Sequence, residues 1–279
     1  MSTIAVAAPT KHNTRMSSPF FRFKQFQVWH DKCAMKVGTD GVLLGAWCPL
    51  PSRERVRVLD IGTGSGLIAL MLSQRLQQSM CSFHICGIDI NLDAVEQSQF
   101  NFSQSPWAEH LHAYHSPLQS WSLPIPATQY PISATQHPIA DSRSPIPPYD
   151  LIVSNPPYFQ SSLKNPDQSR ATARHTDTLS YRELLAHSSR LLTADGTLAL
   201  VLPAEAEQEI VALAREYNLA VTHLTYVHSK PGKPVKRILI AFTPNSADLP
   251  DTQIAHFYIE SESSPRSEEY QALTSEFYL

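Results

Sequence analysis

Apolar positions along the chain fall into two kinds of segment that take turns. Short runs near 56–61, 83–89, 110–115, 149–154, 196–202, 219–228 and 235–243 are dense in Val, Ile, Leu and other apolar residues and read as strands. Between most of them the apolar residues recur at helical spacing, as in Leu67 to Gln78, where positions 67, 68, 70, 71, 72 and 76 are apolar. Such alternation predicts an α/β fold built on a mostly parallel sheet. The last two runs are joined by Ser229-Lys-Pro-Gly-Lys-Pro234, which is too short for a crossover helix, so they are expected to form an antiparallel hairpin. No internal repeat is present.

The strand at Tyr149–Ser154 leads directly into Asn155-Pro156-Pro157-Tyr158. This tetrapeptide suits chemistry on an amide or an exocyclic base nitrogen. Such a nitrogen is a poor nucleophile because its lone pair is conjugated into a carbonyl or ring. The Asn155 side-chain oxygen and the Pro156 carbonyl can accept its two hydrogens and draw the lone pair out, while two prolines stiffen the turn. Tyr158 offers a flat face for a planar substrate. A Pro-rich turn beside a core Tyr fits the same four residues.

Upstream, the strand Val56 to Ile61 carries Asp60 and opens into Gly62-Thr-Gly64-Ser-Gly66, with the helical stretch from Leu67 following. Three glycines allow a tight turn and close approach by a ligand to backbone N–H groups. The spacing is not that of a dinucleotide fingerprint, because position 67 is Leu where a third glycine would stand. It resembles instead the first motif of S-adenosylmethionine-dependent methyltransferases. The strand Ser82 to Asp89 ends in a carboxylate, suited to two ribose hydroxyls. Asp89 also precedes a helix starting near Leu92, a capping role that Asn91 fills equally well.

With 279 residues the chain can bury one substantial core. A disordered tail is expected over 1–18 and a single catalytic domain over 19–279, with an amino-terminal extension at 19–54. Ser122 to Pro148 holds seven prolines and only Asp141 and Arg143 as charges, the composition of an extended surface loop that either overhangs the site or is simply tolerated. No run approaches a membrane span, and residues 1–18 lack a signal-peptide core, so no membrane partner is expected. Cys33, Cys48, Cys81 and Cys86 form no Cys-x-x-Cys pair, which fits reduced thiols and a cytoplasmic protein. The 12 histidines show no metal-ligand spacing, so no metal is expected.

Net charge is −3, without the strongly basic balance of many nucleic-acid binders. Its distribution changes the picture. Residues 11–36 carry six basic side chains against Asp31, and the hairpin region adds Lys230, Lys233, Lys236 and Arg237, whereas the tail from Asp248 carries seven acids against Arg266. The basic segments are candidates for phosphate contacts, although charge runs are commonly no more than solvated faces.

The segment Phe23 to Trp47, with Lys36-Val-Gly-Thr39-Asp40-Gly41 inside it, closely resembles the opening of the bacterial tRNA1(Val) (adenine-N6)-methyltransferases, which modify the adenine beside the anticodon at tRNA position 37. The likeness continues through Asp60 to Gly66, Asn155 to Tyr158, Ala173-Arg174-His175-Thr176, Lys236-Arg237-Ile238-Leu239-Ile240 and the closing Leu273 to Leu279, and so covers nearly the whole chain. It implies a Rossmann-like, seven-stranded class I methyltransferase sheet whose last two strands form the antiparallel hairpin. S-adenosyl-L-methionine is the implied cofactor, held by Asp60, Gly62, Gly64, Gly66 and Asp89, with Thr39 and Asp40 capping a helix under the pocket and helping to hold the methionine end. The implied catalytic group is Asn155, Pro156, Pro157 and Tyr158. Lys24, Arg174, His175, Lys230, Lys233 and Lys236 are candidates for contacts to the tRNA anticodon loop.

Two departures stand out. After the third strand, His112-Ala-Tyr-His115-Ser116-Pro117 has no acid where many relatives place one beside the cofactor's adenine. The Pro-rich insertion is also longer than the family's usual loop. A protein glutamine N5-methyltransferase, a DNA adenine-N6 methyltransferase and a non-catalytic RNA-binding module on the same fold remain as alternatives at this point.

Overall fold

A computed structural model describes residues 18–33, 35–121, 148–157, 179–247 and 249–279. The expected tail at 1–18, except for Ser18, and the insertion, except for Pro148, lie outside the described residues. So do Tyr158, Arg174 and His175.

The chain enters through a small antiparallel pair, β1 (Phe20–Arg22) and β2 (Gln27–Trp29), followed by helix α1 (Thr39–Trp47). The main sheet then begins with β3 (Arg55–Ile61), α2 (Leu67–Gln78), β4 (Ser82–Asp89), α3 (Leu92–Ser103) and β5 (Leu111–His115). It resumes with β6 (Tyr149–Ser154), α4 (Tyr181–Leu191), β7 (Leu192–Pro203), α5 (Glu207–Glu216), β8 (Leu219–His228), β9 (Val235–Pro244), β10 (Gln253–Tyr258) and α6 (Glu268–Thr274). Strand order across the sheet is β10-β8-β9-β7-β6-β3-β4-β5. Strands β7, β6, β3, β4 and β5 run parallel, and β9 is antiparallel to both β7 and β8. From β3 the chain steps outward to β4 and β5, then returns to lay β6 and β7 on the other flank. That reversal opens a crevice at the carboxyl ends of β3 and β6, where α/β sheets take ligands.

The sheet is apolar on both faces, so successive residues alternate between two cores and not between core and water. In β7, Ala199 and Val201 join the core under α1, α2 and α6, while Leu198, Leu200 and Leu202 join the one under α4 and α5. In β9, Leu239 and Ala241 divide from Ile238, Ile240 and Phe242 in the same way. All six residues of β6 are buried.

The seven expected strands are all present, and the hairpin turns through Lys230-Pro231-Gly232-Lys233, with the Lys233 N–H donating to the Lys230 carbonyl (3.1 Å) and Gly232 at φ 74°. Pro followed by Gly at positive φ is the type II arrangement. The β1–β2 pair is not among the expected strands, and the main sheet itself differs in one respect. An eighth strand, β10, adds in parallel to the outside of β8, so the β8–β9 hairpin is not the end of the sheet. An edge strand has one hydrogen-bonded neighbour and little burial, and β10 is mostly exposed, its apolar residues Ile254, Ala255, Phe257 and Tyr258 standing within an otherwise acidic tail.

Candidate functional site

Between β3 and α2 the glycine loop folds back on the end of β4. Gly62 and Thr63 N–H groups donate to the Ile88 carbonyl (2.8 and 3.0 Å), and Gly66 N–H donates to the Thr63 carbonyl (2.8 Å). Gly62, Gly64 and Gly66 adopt φ of 69°, 54° and 78°, which other residues avoid. Their surroundings separate their roles. A Cβ on Gly66 would lie 2.4 Å from a Phe102 ring carbon, so Gly66 lets α3 pack against the loop, whereas a Cβ on Gly62 would meet nothing within 4 Å. The loop is therefore packed on one side and open on the other, as a ligand cradle must be.

Asp60 points into this loop from β3 and is fully buried. Its Oδ2 accepts from the Thr63 hydroxyl (2.8 Å), while Oδ1 is buried without a hydrogen-bond partner among the described residues. Burial raises its pKa to about 7, against the lowering pull of the Thr63 hydroxyl. An under-satisfied buried carboxyl of this kind fits a cationic ligand group.

Asp89, at the tip of β4, accepts from the Gly64 N–H at Oδ2 (3.0 Å) and from the Asn91 N–H at Oδ1 (2.9 Å). It does not cap α3. Asn91 does, accepting from Asp93 N (2.8 Å) and Ala94 N (3.4 Å). Two of the roughly four acceptor positions of the Asp89 carboxylate are thus used by backbone, and the others remain for a ligand's hydroxyls. The amino-terminal extension passes close by: burial first, then the charges of Asp89, Asp31 and Asp93, push the Cys33 thiol up to about 11.

Residues Asn155, Pro156 and Pro157 leave β6 beside this loop. The register sets Ile61 opposite Ser154, and Ser154 Oγ donates to the Ile61 carbonyl (2.8 Å). Gly62 and Asn155 therefore emerge from adjacent strand ends, about 4.8 Å apart in strand spacing. Asn155 is half-buried, Pro156 buried and Pro157 exposed.

The capping role expected of Thr39 and Asp40 requires a correction. The N-cap of α1 is Gly38, and no side chain caps the helix; Thr39 is its first residue and Asp40 lies in its first turn. The Asp40 carboxylate makes an ion pair with Arg237 on β9. Among the expected RNA contacts, Lys230, Lys233 and Lys236 are exposed on or beside the hairpin turn. Lys24 is exposed too, but its ammonium donates to the Ser275 carbonyl (2.6 Å), tying it to the end of α6.

The sequence reading missed Asn101. It is 1% exposed on α3; its Nδ2 donates to the carbonyls of Trp29 and Ser65 (both 2.8 Å), and its Oδ1 accepts from the Trp29 N–H (2.9 Å). One side chain thereby fastens the extension to the glycine loop. An Asn at a core-facing helical position is the available signal, because Asn is a poor choice there unless its amide is used.

No family model matches the chain. Among solved structures, a predicted O-methyltransferase of Agrobacterium tumefaciens is similar in fold, with TM-score 0.57 and 15% identity, covering 85% of this chain and 96% of that one. A Listeria monocytogenes protein described as a class I S-adenosylmethionine-dependent methyltransferase aligns with TM-score 0.51 and 12% identity over 84% of this chain and 65% of that one. The sheet order is that of the class I methyltransferase fold these two structures share. Curated relatives carry the assignment further. The tRNA1(Val) (adenine(37)-N6)-methyltransferase of Parabacteroides distasonis is 44% identical over 265 residues, 95% of this chain and 99% of the relative. The enzyme of that name from Yersinia enterocolitica is 39% identical over 259 residues, 93% and 92% of the two chains. The chain belongs to the tRNA1(Val) (adenine(37)-N6)-methyltransferase family.

Proposed function

We propose that the protein transfers a methyl group from S-adenosyl-L-methionine to the exocyclic N6 amine of adenine 37 in the anticodon loop of tRNA1(Val). The observation that carries this reading is the Ile61–Ser154 pairing, which brings the cofactor loop and the Asn-Pro-Pro segment to neighbouring strand ends. The bound cofactor supplies an activated methyl group on a sulfonium sulfur.

This chain's residues do the rest by positioning. The open side of Gly62 takes the cofactor against the loop backbone, whose Gly62, Thr63, Gly64 and Gly66 N–H groups are spent on holding the loop's own shape, and Asp60 Oδ1 offers negative charge to its cationic end. Asp89 accepts from the ribose hydroxyls with its remaining acceptor positions. Asn155 Oδ1 and the Pro156 carbonyl accept the two amine hydrogens, which pulls the nitrogen lone pair out of the ring, and the fixed φ of Pro156 keeps its carbonyl aimed. Tyr158 stacks on the adenine. The proton leaves after the methyl group has arrived, so no general base is required of the protein. An adenine in an anticodon loop is unpaired and can be turned outward without melting a stem.

With tRNA as substrate the place of work is the cytoplasm. The described residues contain no helix long and apolar enough to cross a membrane.

The reading is tested by incubating the protein with labelled S-adenosylmethionine and unmodified tRNA, digesting the RNA and identifying the labelled nucleoside. Label in N6-methyladenosine is expected. Intact cofactor binding with no label in RNA would overturn it and point to a protein glutamine or DNA adenine as acceptor.

A further inference from the structure

The outer edge of the sheet carries a group of rings that the methyl-transfer site does not use. The β8–β10 register sets Tyr226 opposite His256 and His228 opposite Tyr258, and strand alternation sends all four to one face. Tyr226 and His256 stack with centroids 5.2 Å apart and planes 28° apart; His228 and Tyr258 stack at 4.8 Å and 20°. The two histidine rings lie 5.3 Å apart. His256 is exposed and the other three are half-buried.

A hydrogen-bond chain ties this face to the hairpin. A carbonyl can only accept, so His228 Nδ1–H donates to the Lys233 carbonyl (2.8 Å). In the neutral ring Nε2 is then the acceptor, and it takes the His256 Nδ1–H (3.0 Å). The turn anchored in this way presents Lys230, Lys233 and, just beyond, Lys236 to solvent, and none of the three pairs with a carboxylate among the described residues.

Direction places the rings. Strand β9 is antiparallel to β7 and to β8, and β10 is parallel to β8, so β8 and β10 end on the same edge of the sheet as β3, β4 and β6. His228 and Tyr258 therefore lie on the edge from which Gly62, Asp89 and Asn155 emerge. Strand β8 is three strands from β6 and β10 four, roughly 14 and 19 Å. That is too far for the target nucleotide itself and close enough for others of the same RNA.

We propose that Tyr226, His228, His256 and Tyr258 form a stacking surface for unpaired bases of the tRNA substrate outside the target adenine, with Lys230, Lys233 and Lys236 on the phosphates between. This rests on the tRNA reading above. Most of the polar edges are spent within the protein, Tyr226 Oη donating to Glu207 (2.9 Å), so it is the ring faces beside unpaired cations that match a single-stranded nucleic acid, in which every base has a π-face and every linkage a negative charge.

The test compares tRNA binding over a salt series for wild type, a His256→Ala/Tyr258→Ala double variant, a His256→Phe/Tyr258→Phe double variant and a Lys233→Glu/Lys236→Glu double variant. S-adenosylmethionine titration of each reports an intact fold and site. The Ala variant is expected to lose on the order of tenfold in tRNA affinity per stacked base with an unchanged salt slope. The Phe variant keeps most of the affinity, and the Lys variant loses affinity with a shallower slope. Wild-type tRNA affinity in the Ala variant would overturn the stacking surface, as would an equal loss in the Ala and Phe variants. Wild-type protein that binds S-adenosylmethionine but neither binds nor methylates tRNA would instead overturn the tRNA reading itself.

Discussion

Replacing Asn101 with Ala tests whether the glycine loop is held from outside. The substitution removes three hydrogen bonds at once, two donated to the Trp29 and Ser65 carbonyls and one accepted from the Trp29 N–H. A net contribution of about 1 kcal/mol for each bond gives a loss of about 3 kcal/mol. At ~2–4 °C per kcal/mol for a chain of this size, Tm should fall by roughly 6–12 °C. Because the Ser65 carbonyl belongs to the cofactor loop, S-adenosylmethionine affinity should also fall, on the order of tenfold, or ~1.4 kcal/mol. Asn101→Asp is the sharper variant: it keeps the acceptor for Trp29, loses both donors and turns a carboxylate toward two carbonyls, so its loss should equal or exceed that of Ala. Differential scanning calorimetry and cofactor titration read the two effects separately. A Tm change under ~2 °C in both variants, with unaltered cofactor affinity, would refute the claim that this amide holds the extension to the loop.

The raised pKa of Asp60, about 7 against the ordinary value of 3.8, makes two pH-dependent predictions. The folded state holds this proton more tightly than the unfolded chain, so the group's contribution to stability is full below pH 3.8 and declines as pH rises through about 7; Asp60→Asn should flatten that part of a urea-midpoint profile. A cationic cofactor favours the ionised form, so S-adenosylmethionine affinity should rise between pH 6 and 8, and a flat titration series would remove Asp60 from cofactor binding. Asn155→Ala should lower the methyl-transfer rate by about 10²-fold or more with cofactor affinity nearly intact, since its proposed contact is to the reacting amine; wild-type turnover would take Asn155 out of the mechanism. Gly66→Ala sets a Cβ 2.4 Å from the Phe102 ring at a φ of 78°, and thermal unfolding should show a loss of about 2–4 kcal/mol from overpacking and backbone strain together; a stability like wild type would mean that the loop and α3 can separate freely.

What the sequence determined by itself is the part written in consecutive residues. The glycine loop and α2, the Asp89 tip, the Pro-Gly hairpin turn and the Asn155–Pro157 exit from β6 each follow from local backbone preferences or strand period, and the structure has all of them; between Asp89 and Asn91 as the cap of α3 the sequence leaves the choice open, and the structure uses Asn91. Tertiary structure alone decided the rest. Asp40 pairs with Arg237, 197 positions further along the chain, and no local pattern names that partner. The clamp at Asn101 joins residues 72 and 36 positions apart, so its amide shows its purpose only once α3 lies against both. Thr39 stands where a capping residue is expected, yet Gly38 takes that position with no side-chain bond, because the choice of N-cap follows how the chain enters the helix and not the nearest hydroxyl. Strand β10 is a short apolar stretch inside an acidic tail, and its place at the sheet edge is set only when β8 supplies its hydrogen bonds. The four rings at that edge become neighbours only through the β8–β10 register, a pairing of residues 30 positions apart that side-chain period alone does not specify.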